Sequence, residues 1–255
     1  MDLLKLCIIL VTLSYTSILD IKYREVNPRI WLYAGIPLAF ITIVVEWIKG
    51  FPRIDLIYML INLIIVLAAV GGLYYTNLMG GGDLFSLVII AYSNPINPLV
   101  EGGFLKNSLD FNMPFIIPVL LYSSLIAILY AVILSVYNLV FNRSEVKRLP
   151  RRIKILYITT AKPIRVRDLI EKRFWYPLER PWSKNRFRFT FNVEEDDAEV
   201  IRKIKRMLNK GRIKPEDKLW CTYGLPFILF ITIGIAISFA GGDIILTKLL
   251  TTLMS

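Results

Sequence analysis

Long apolar runs separated by short polar breaks occupy most of this chain. Windows long enough to cross about 30 Å of hydrocarbon fall near 3–19, 30–48, 56–78, 84–100, 114–141 and 222–246. The fourth is the weakest, interrupted by Asn94, Pro95, Asn97 and Pro98. The fifth runs from Met113 to Phe141 without a charge and has length enough to tilt. The pattern therefore predicts six transmembrane helices, or five if the fourth only dips into the bilayer. The expected fold class is an all-α polytopic membrane protein with a small α+β subdomain on the cytoplasmic side. Residues 1–141 hold the first five helices, 142–221 form the water-exposed subdomain, and 222–255 hold the last helix.

Within 142–221 the period of the pattern changes. Arg186-Phe187-Arg188-Phe189-Thr190-Phe191 alternates charge and aromatic, as a half-buried strand does. Glu194–Asn209 reads as a helix, with acidic residues in its first turn, basic ones in its last and Gly211 just beyond. Ile201, Ile204 and Leu208 give it an apolar stripe. Lys154–Thr160 is expected to be a second strand.

Composition agrees with a membrane class: 55% of the 255 residues are hydrophobic, and the 20% that are charged are segregated into blocks. The first apolar run lacks a basic flank and a small-x-small cleavage site before Asp20, so it is expected to be a retained helix rather than a signal peptide. Cys7 and Cys221 are the only cysteines and histidine is absent. That removes Ser-His and Cys-His nucleophilic schemes and leaves no ligand set for a zinc site, so no metal or other cofactor is expected.

Charge also sets the orientation. Residues 142–221 carry 23 Lys and Arg against 11 Asp and Glu, a net of +12 in a chain whose total is +11. Lys22, Arg24 and Arg29 lie between the first two spans, whereas 101–113 carries only Glu101, Lys106 and Asp110. Positive charge collects on the cytoplasmic side, which puts 21–29, Gly80–Gly82 and 142–221 there and both termini outside. Lys49 and Arg53, in an outer loop, run against this pattern. The basic excess suits topology and anionic lipid headgroups. No nucleic-acid-binding motif accompanies it, and none is expected to bind.

Two aspartates close to span ends stand out. Asp20 closes the first run and opens Asp20-Ile21-Lys22-Tyr23-Arg24-Glu25-Val26-Asn27-Pro28, and Asp83 follows Gly80-Gly81-Gly82. Each has an ordinary explanation: Asp20 marks the helix leaving the membrane among snorkelling Lys22 and Arg24, and Asp83 is a helix N-cap. Together, on one membrane face, they suggest a pair of carboxyls sharing one proton, as in aspartic proteases. A helix N-terminus favours negative charge at Asp83, and glycines let another helix approach. Asp243 also follows two glycines, but the topology places it at the opposite face. Glu46 and Asp55 flank a short outer loop and are expected to face water, and Asn62 is expected to bond to a neighbouring helix.

These residues carry a resemblance. Asp20-x-Lys22-x-Arg24-x-x-Asn27 resembles the aspartate motif of type IV prepilin peptidases, and Gly80-Gly81-Gly82-Asp83 fits their G-x-G-D motif. The layout is most similar to the archaeal preflagellin peptidases: six spans, a basic cytoplasmic insertion before the last, and Gly224-Leu225-Pro226-Phe227 opening it. The resemblance covers essentially the whole chain.

It implies a membrane aspartyl endopeptidase with Asp20 and Asp83 catalytic, Gly80, Gly81 and Gly82 forming the active-site loop, and Lys22, Arg24 and Asn27 in support. The implied partners are preflagellin or prepilin-like precursors with short basic leaders, together with membrane lipids. The implied location is the cell membrane with the site on the cytoplasmic face. Glu25 or Glu194–Asp197 are the acidic residues that would meet a basic leader. The chain starts in a span and has no Cys-x-x-Cys, unlike bacterial relatives that also N-methylate, so the resemblance implies peptidase activity without methyltransferase activity. Two rival functions compete with this reading. One is a small transporter using Asp20 and Asp83 as proton or cation sites, which internal repeats and broken helices would favour. The other is a scaffold in which 142–221 binds a partner.

Overall fold

The computed structural model describes residues 2–24, 26–69, 71–75, 80–101, 113–171, 174–183, 185–189, 197–224, 226–241 and 252. The helices are α1 Asp2–Tyr23, α2 Pro28–Ile48, α3 Arg53–Ala69, α4 Gly71–Tyr75, α5 Gly81–Ser93, α6 Pro98–Glu101, α7 Ile116–Phe141, α8 Arg143–Arg148, α9 Arg151–Thr160, α10 Val166–Glu171, α11 Asp197–Asn209 and α12 Phe227–Gly241. Among the described residues three, α1, α2 and α7, are long and apolar enough to cross a membrane, and α5 and α12 are shorter apolar helices. The chain divides into two compact units: Met1–Ile126 with Pro226–Ser255, and Ala127–Leu225.

Among the described residues the first unit is built from helices. Leu6, Ile9 and Leu13 repeat at helical spacing along α1 and join Trp31 and Leu38 of α2, Val66 of α3, Leu87 and Ile90 of α5, and Ile228, Ile231 and Ile235 of α12 in one buried core. One exposed face stays apolar: Tyr33, Ile36, Phe40 and Ile43 of α2 are all exposed. Small residues let two helix pairs close up. Ser17 Oγ of α1 lies 2.7 Å from Thr232 Oγ1 of α12. Gly234 of α12 faces α7 so tightly that a Cβ there would fall 2.9 Å from the Ser123 backbone nitrogen and the Val119 carbonyl oxygen.

Asn27 starts α2 as its N-cap, its Oδ1 accepting the Arg29 N–H at 3.0 Å, with Pro28 following it. The fourth apolar window is a broken element, as its asparagines and prolines predict: α5 has 13 residues, rising about 20 Å, and stops at Asn94. Asn62, fully buried in α3, holds the break by donating to Ala91 O and Pro95 O at 3.4 and 3.0 Å and accepting the Ile116 N–H at 3.4 Å. This is the expected bond to neighbouring helices.

Two boundary residues depart from expectation. Glu46 and Asp55 do not face water but are buried, at 5% and 8% exposure. Lys49 explains part of this, since its Nζ lies 3.7 Å from Asp55 and 3.6 Å from Asp2, which itself pairs with the buried Lys5 at 2.7 Å. Charges that share partners can be withdrawn from solvent. In the third window, 56–78, α3 reaches Ala69 and α4 covers Gly71–Tyr75, while residues 70 and 76–78 lie outside the described residues.

The second unit is α+β. Its sheet has the order β1-β3-β2, with β1 Ala161–Arg165, β2 Trp175–Pro177 and β3 Lys218–Tyr223, both pairings antiparallel. One core forms where Ile164, Val166, Leu169, Leu219 and Cys221 meet Val200 and Ile204 of α11. A second gathers Ile153 and Tyr157 of α9 around Leu178 and Trp220. The Tyr157 hydroxyl reaches the Leu178 and Arg188 carbonyls at 2.9 and 3.0 Å. Burial pushes that phenol up to about 12.

Two expected strands are corrected. Lys154–Thr160 lies in α9, where Ile153 and Tyr157 share the buried face at i, i+4 spacing. Of Arg186–Phe191, only Phe187 pairs, in a single bridge to Glu179, while Phe189 is exposed. Its last two residues lie outside the described residues, as do Glu194–Asp196 of the expected helix, whose described part is α11. The last apolar window also divides: Thr222 and Tyr223 end β3, and the helix begins at Phe227.

Candidate active site

Asp20 and Asp83 stand on α1 and α5, and folding brings them within range of each other's charge. Asp20 occupies the last turn of α1, which closes with the Arg24 N–H donating to Asp20 O at 3.1 Å. Arg24 takes a left-handed conformation, φ 58°, one residue past the helix. Glycine usually fills that position. The turn keeps the guanidinium near α1, and its charge reaches both Asp20 and Asp83.

Asp83 is not the N-cap of α5 but its third residue; Gly80 is the cap, and Gly81 and Gly82 form the first turn. The Gly80 N–H donates to Asp83 Oδ2 at 3.2 Å, and Ser86 Oγ donates to Asp83 O at 2.6 Å. A carboxylate at the third position folds back onto the cap in this way. A Cβ on Gly82 would come within 3.4 Å of Ile228 Cδ1, 3.6 Å of Trp31 Nε1 and 3.8 Å of Val26 Cβ. The described glycines of the triplet do not have positive φ, so the positive-φ reason for glycine does not hold, and a Cβ at Gly82 would meet its three neighbours at ordinary contact distance.

Ile228 is the contributor the sequence did not announce. In the first turn of α12, its backbone N–H faces the Asp20 carboxylate. Both carboxylates therefore lie against the N–H of a helix start: Asp83 against that of Gly80, the cap of its own α5, and Asp20 against that of Ile228 in α12. The only sequence signal was the helix-starting run Gly224-Leu225-Pro226 before Phe227. Trp31, buried in the first turn of α2, is the second such residue.

The remaining candidates separate by position. Lys22 is exposed, its Nζ 5.1 Å from the Tyr23 ring centre, so it is not drawn to the pair. Asn27 acts locally as the α2 cap. Glu25 and Asp243 lie outside the described residues. Among the described residues no group of three or more metal-ligating side chains forms. Two neighbouring carboxyls with one cation beside them can divide a single proton between them, giving one base and one acid.

Two family models match the chain. The type IV leader peptidase family matches residues 7–132, which contain both aspartates, and the type II C-terminus of archaeal A24 peptidases matches residues 153–244. No curated protein matches it.

Proposed function

The chain belongs to the type IV leader peptidase family, and from that premise we propose that it is a membrane-embedded aspartyl endopeptidase with Asp20 and Asp83 as its catalytic pair. The observation that carries this reading is that the two carboxyls from α1 and α5 come within range of each other's charge and of the Arg24 charge. That one motif lies at the end of a helix and the other at the start of one supports a pair drawn from two helix ends.

In the proposed reaction the ionised carboxylate takes a proton from water as the water oxygen attacks the scissile carbonyl. The protonated carboxyl donates its proton to the carbonyl oxygen, giving a neutral tetrahedral diol. Collapse returns a proton to the departing amine and restores one acid and one base. The cycle balances with two carboxyls and one water. Arg24 keeps the net charge of the site low enough for a carboxylate to persist. The Ile228 and Gly80 N–H groups hold each carboxyl in orientation.

The substrates of the family are pilin-like precursors, and for this chain we propose those with a short basic leader followed by an apolar segment, archaellin or archaeal pilin precursors among them. The apolar segment would lie in the bilayer and the leader at the cytoplasmic surface, where the sequence pattern puts Asp20, Asp83 and the basic 142–221 region in a six-span topology. With only Cys7 and Cys221 in the chain, we propose cleavage without N-methylation. Purified protein in detergent should cut such a precursor once, at the end of the leader, as read by intact-mass spectrometry. A precursor left whole under conditions where the protein is folded would count against the proposal. Labelling a single cysteine at position 150, in a background lacking Cys7 and Cys221, tests orientation. Reaction with an impermeant reagent from outside intact cells would overturn it.

A further inference from the structure

The Trp31 indole is only 4% exposed, and among the described residues nothing accepts a hydrogen bond from its Nε1–H. Buried indole N–H groups ordinarily find a partner, because leaving one dry costs folding free energy. This one borders the aspartyl pair. Nε1 lies 3.6 Å from the point a Cβ on Gly82 would occupy, and Ile228 and Val26 border the same point. Gly82 adjoins Asp83, and Ile228 is the residue whose N–H meets Asp20.

The same corner is the start of α5, a helix of 13 residues. First-turn N–H groups such as those of Gly81 and Gly82 have no acceptor within their own helix. The corner is thus rich in donors and beside two carboxyls, which are themselves held by other N–H groups. A ligand suited to it offers carbonyl oxygens. An extended peptide does so at every residue, since its carbonyls lose their helical partners when it is drawn out for attack.

We propose that the Trp31 Nε1–H, together with the N–H groups that open α5, forms a subsite for a main-chain carbonyl of the extended precursor next to the scissile bond; the inference rests on the peptidase reading above. Trp31 then reads backbone rather than side chains, and serves precursors of differing sequence alike. Gly82 belongs to the same device, because a larger side chain there would crowd the indole N–H and the carbonyl it receives.

The test separates the N–H from the ring. Trp31→Phe removes the donor and keeps an aromatic; Trp31→benzothienylalanine replaces N–H by sulfur at nearly constant shape. Binding of a fluorescent leader-bearing precursor is measured in detergent in an Asp83→Asn background, where turnover is blocked. Both variants should raise Kd about tenfold. In otherwise active protein, KM should rise by a similar factor while kcat stays within about threefold. The melting temperature of the benzothienylalanine variant should equal or exceed that of its parent, because no orphan donor remains. An unchanged Kd in both variants overturns the inference, as does a Kd that rises in Trp31→Phe alone, which would assign the effect to ring volume. Because binding is read without turnover, failure of the peptidase reading shows separately, as wild-type protein that leaves the precursor uncut.

Discussion

Gly80 and Asp83 hold each other at both ends of one helical turn: the Gly80 N–H donates to Asp83 Oδ2 at 3.2 Å, and the Asp83 N–H donates to the Gly80 carbonyl, also at 3.2 Å. The carboxyl is therefore aimed by backbone, and what packs on that turn decides where it points.

Gly82 offers the sharpest probe of that aim. A Cβ there would sit at ordinary contact distances of 3.4 to 3.8 Å from Ile228, Trp31 and Val26, so the further carbons of valine are expected to press on these side chains. Gly82→Ala should retain cleavage within about threefold. Gly82→Val should lose on the order of 100-fold, the cost of a misplacement of about 1 Å, with a smaller proportional loss of thermal stability. Cleavage rates and melting temperatures of the two variants check this. Full activity in the valine variant would remove the close-approach argument.

Gly234 makes the complementary prediction for stability. Its added Cβ would meet the α7 backbone at 2.9 Å, whereas nothing lies within 4 Å of one on Gly71. Gly234→Ala should destabilise by about 1–3 kcal/mol, since a backbone cannot rotate away. Gly71→Ala should be neutral or stabilising by up to about 1 kcal/mol. Thermal unfolding in detergent compares them.

Asn62→Leu should lower the melting temperature substantially. It strips partners from Ala91 O, Pro95 O and the Ile116 N–H inside a buried helix break. Each buried group left unsatisfied costs about 1–3 kcal/mol. A leucine variant as stable as wild type would mean that the break is supported in some other way.

Cys221 should resist thiol reagents in the folded protein. It is fully buried in β3, and burial, then the Glu179 charge, pushes its thiol far above the ordinary range. A raised thiol stays protonated at pH 9, where a free cysteine has largely become the reactive thiolate. Maleimide labelling in buffer at pH 7 and pH 9, followed by mass mapping, should find Cys221 unmodified at both and modified once the protein is denatured. Rapid native labelling would contradict the burial.

The legible parts of this chain were those in which a local pattern has one physical outcome. Apolar runs gave α1, α2 and α7 their places, and Gly80-Gly81-Gly82-Asp83 marked a helix start. Asn94 and Pro95 announced the break that ends α5. Misreadings arose where two periods compete. Lys154–Thr160 carries Ile and Thr, which suit strands, but Pro150 at the cap and the i, i+4 pair Ile153 and Tyr157 decide for a helix. No element is expected at Lys218-Leu219-Trp220-Cys221, at the end of the 142–221 subdomain, yet it forms most of the central strand β3. Asp55 is expected in water because no window shows that Lys49, itself shared with Asp2, gathers beside it. At the site, the aspartates stood out, whereas Ile228 and Trp31 contribute through a backbone N–H and an indole N–H that no motif records. The structure also changes one argument. A helix start beside Asp83 marked it as the readier anion, but Ile228 gives Asp20 a helix start as well, so that asymmetry is gone.

The central claim is that Asp20 and Asp83 act as one proton-sharing pair, and cleavage of a leader-bearing precursor by Asp20→Asn, Asp83→Asn and Asp243→Asn in detergent tests it most directly. Asparagine nearly matches aspartate in shape but cannot exchange the shared proton. The account predicts cleavage abolished in the first two, with melting temperatures within a few degrees of wild type, and cleavage unchanged in the third. Substantial cleavage by a folded Asp20→Asn or Asp83→Asn protein would take that aspartate out of the pair and contradict the account.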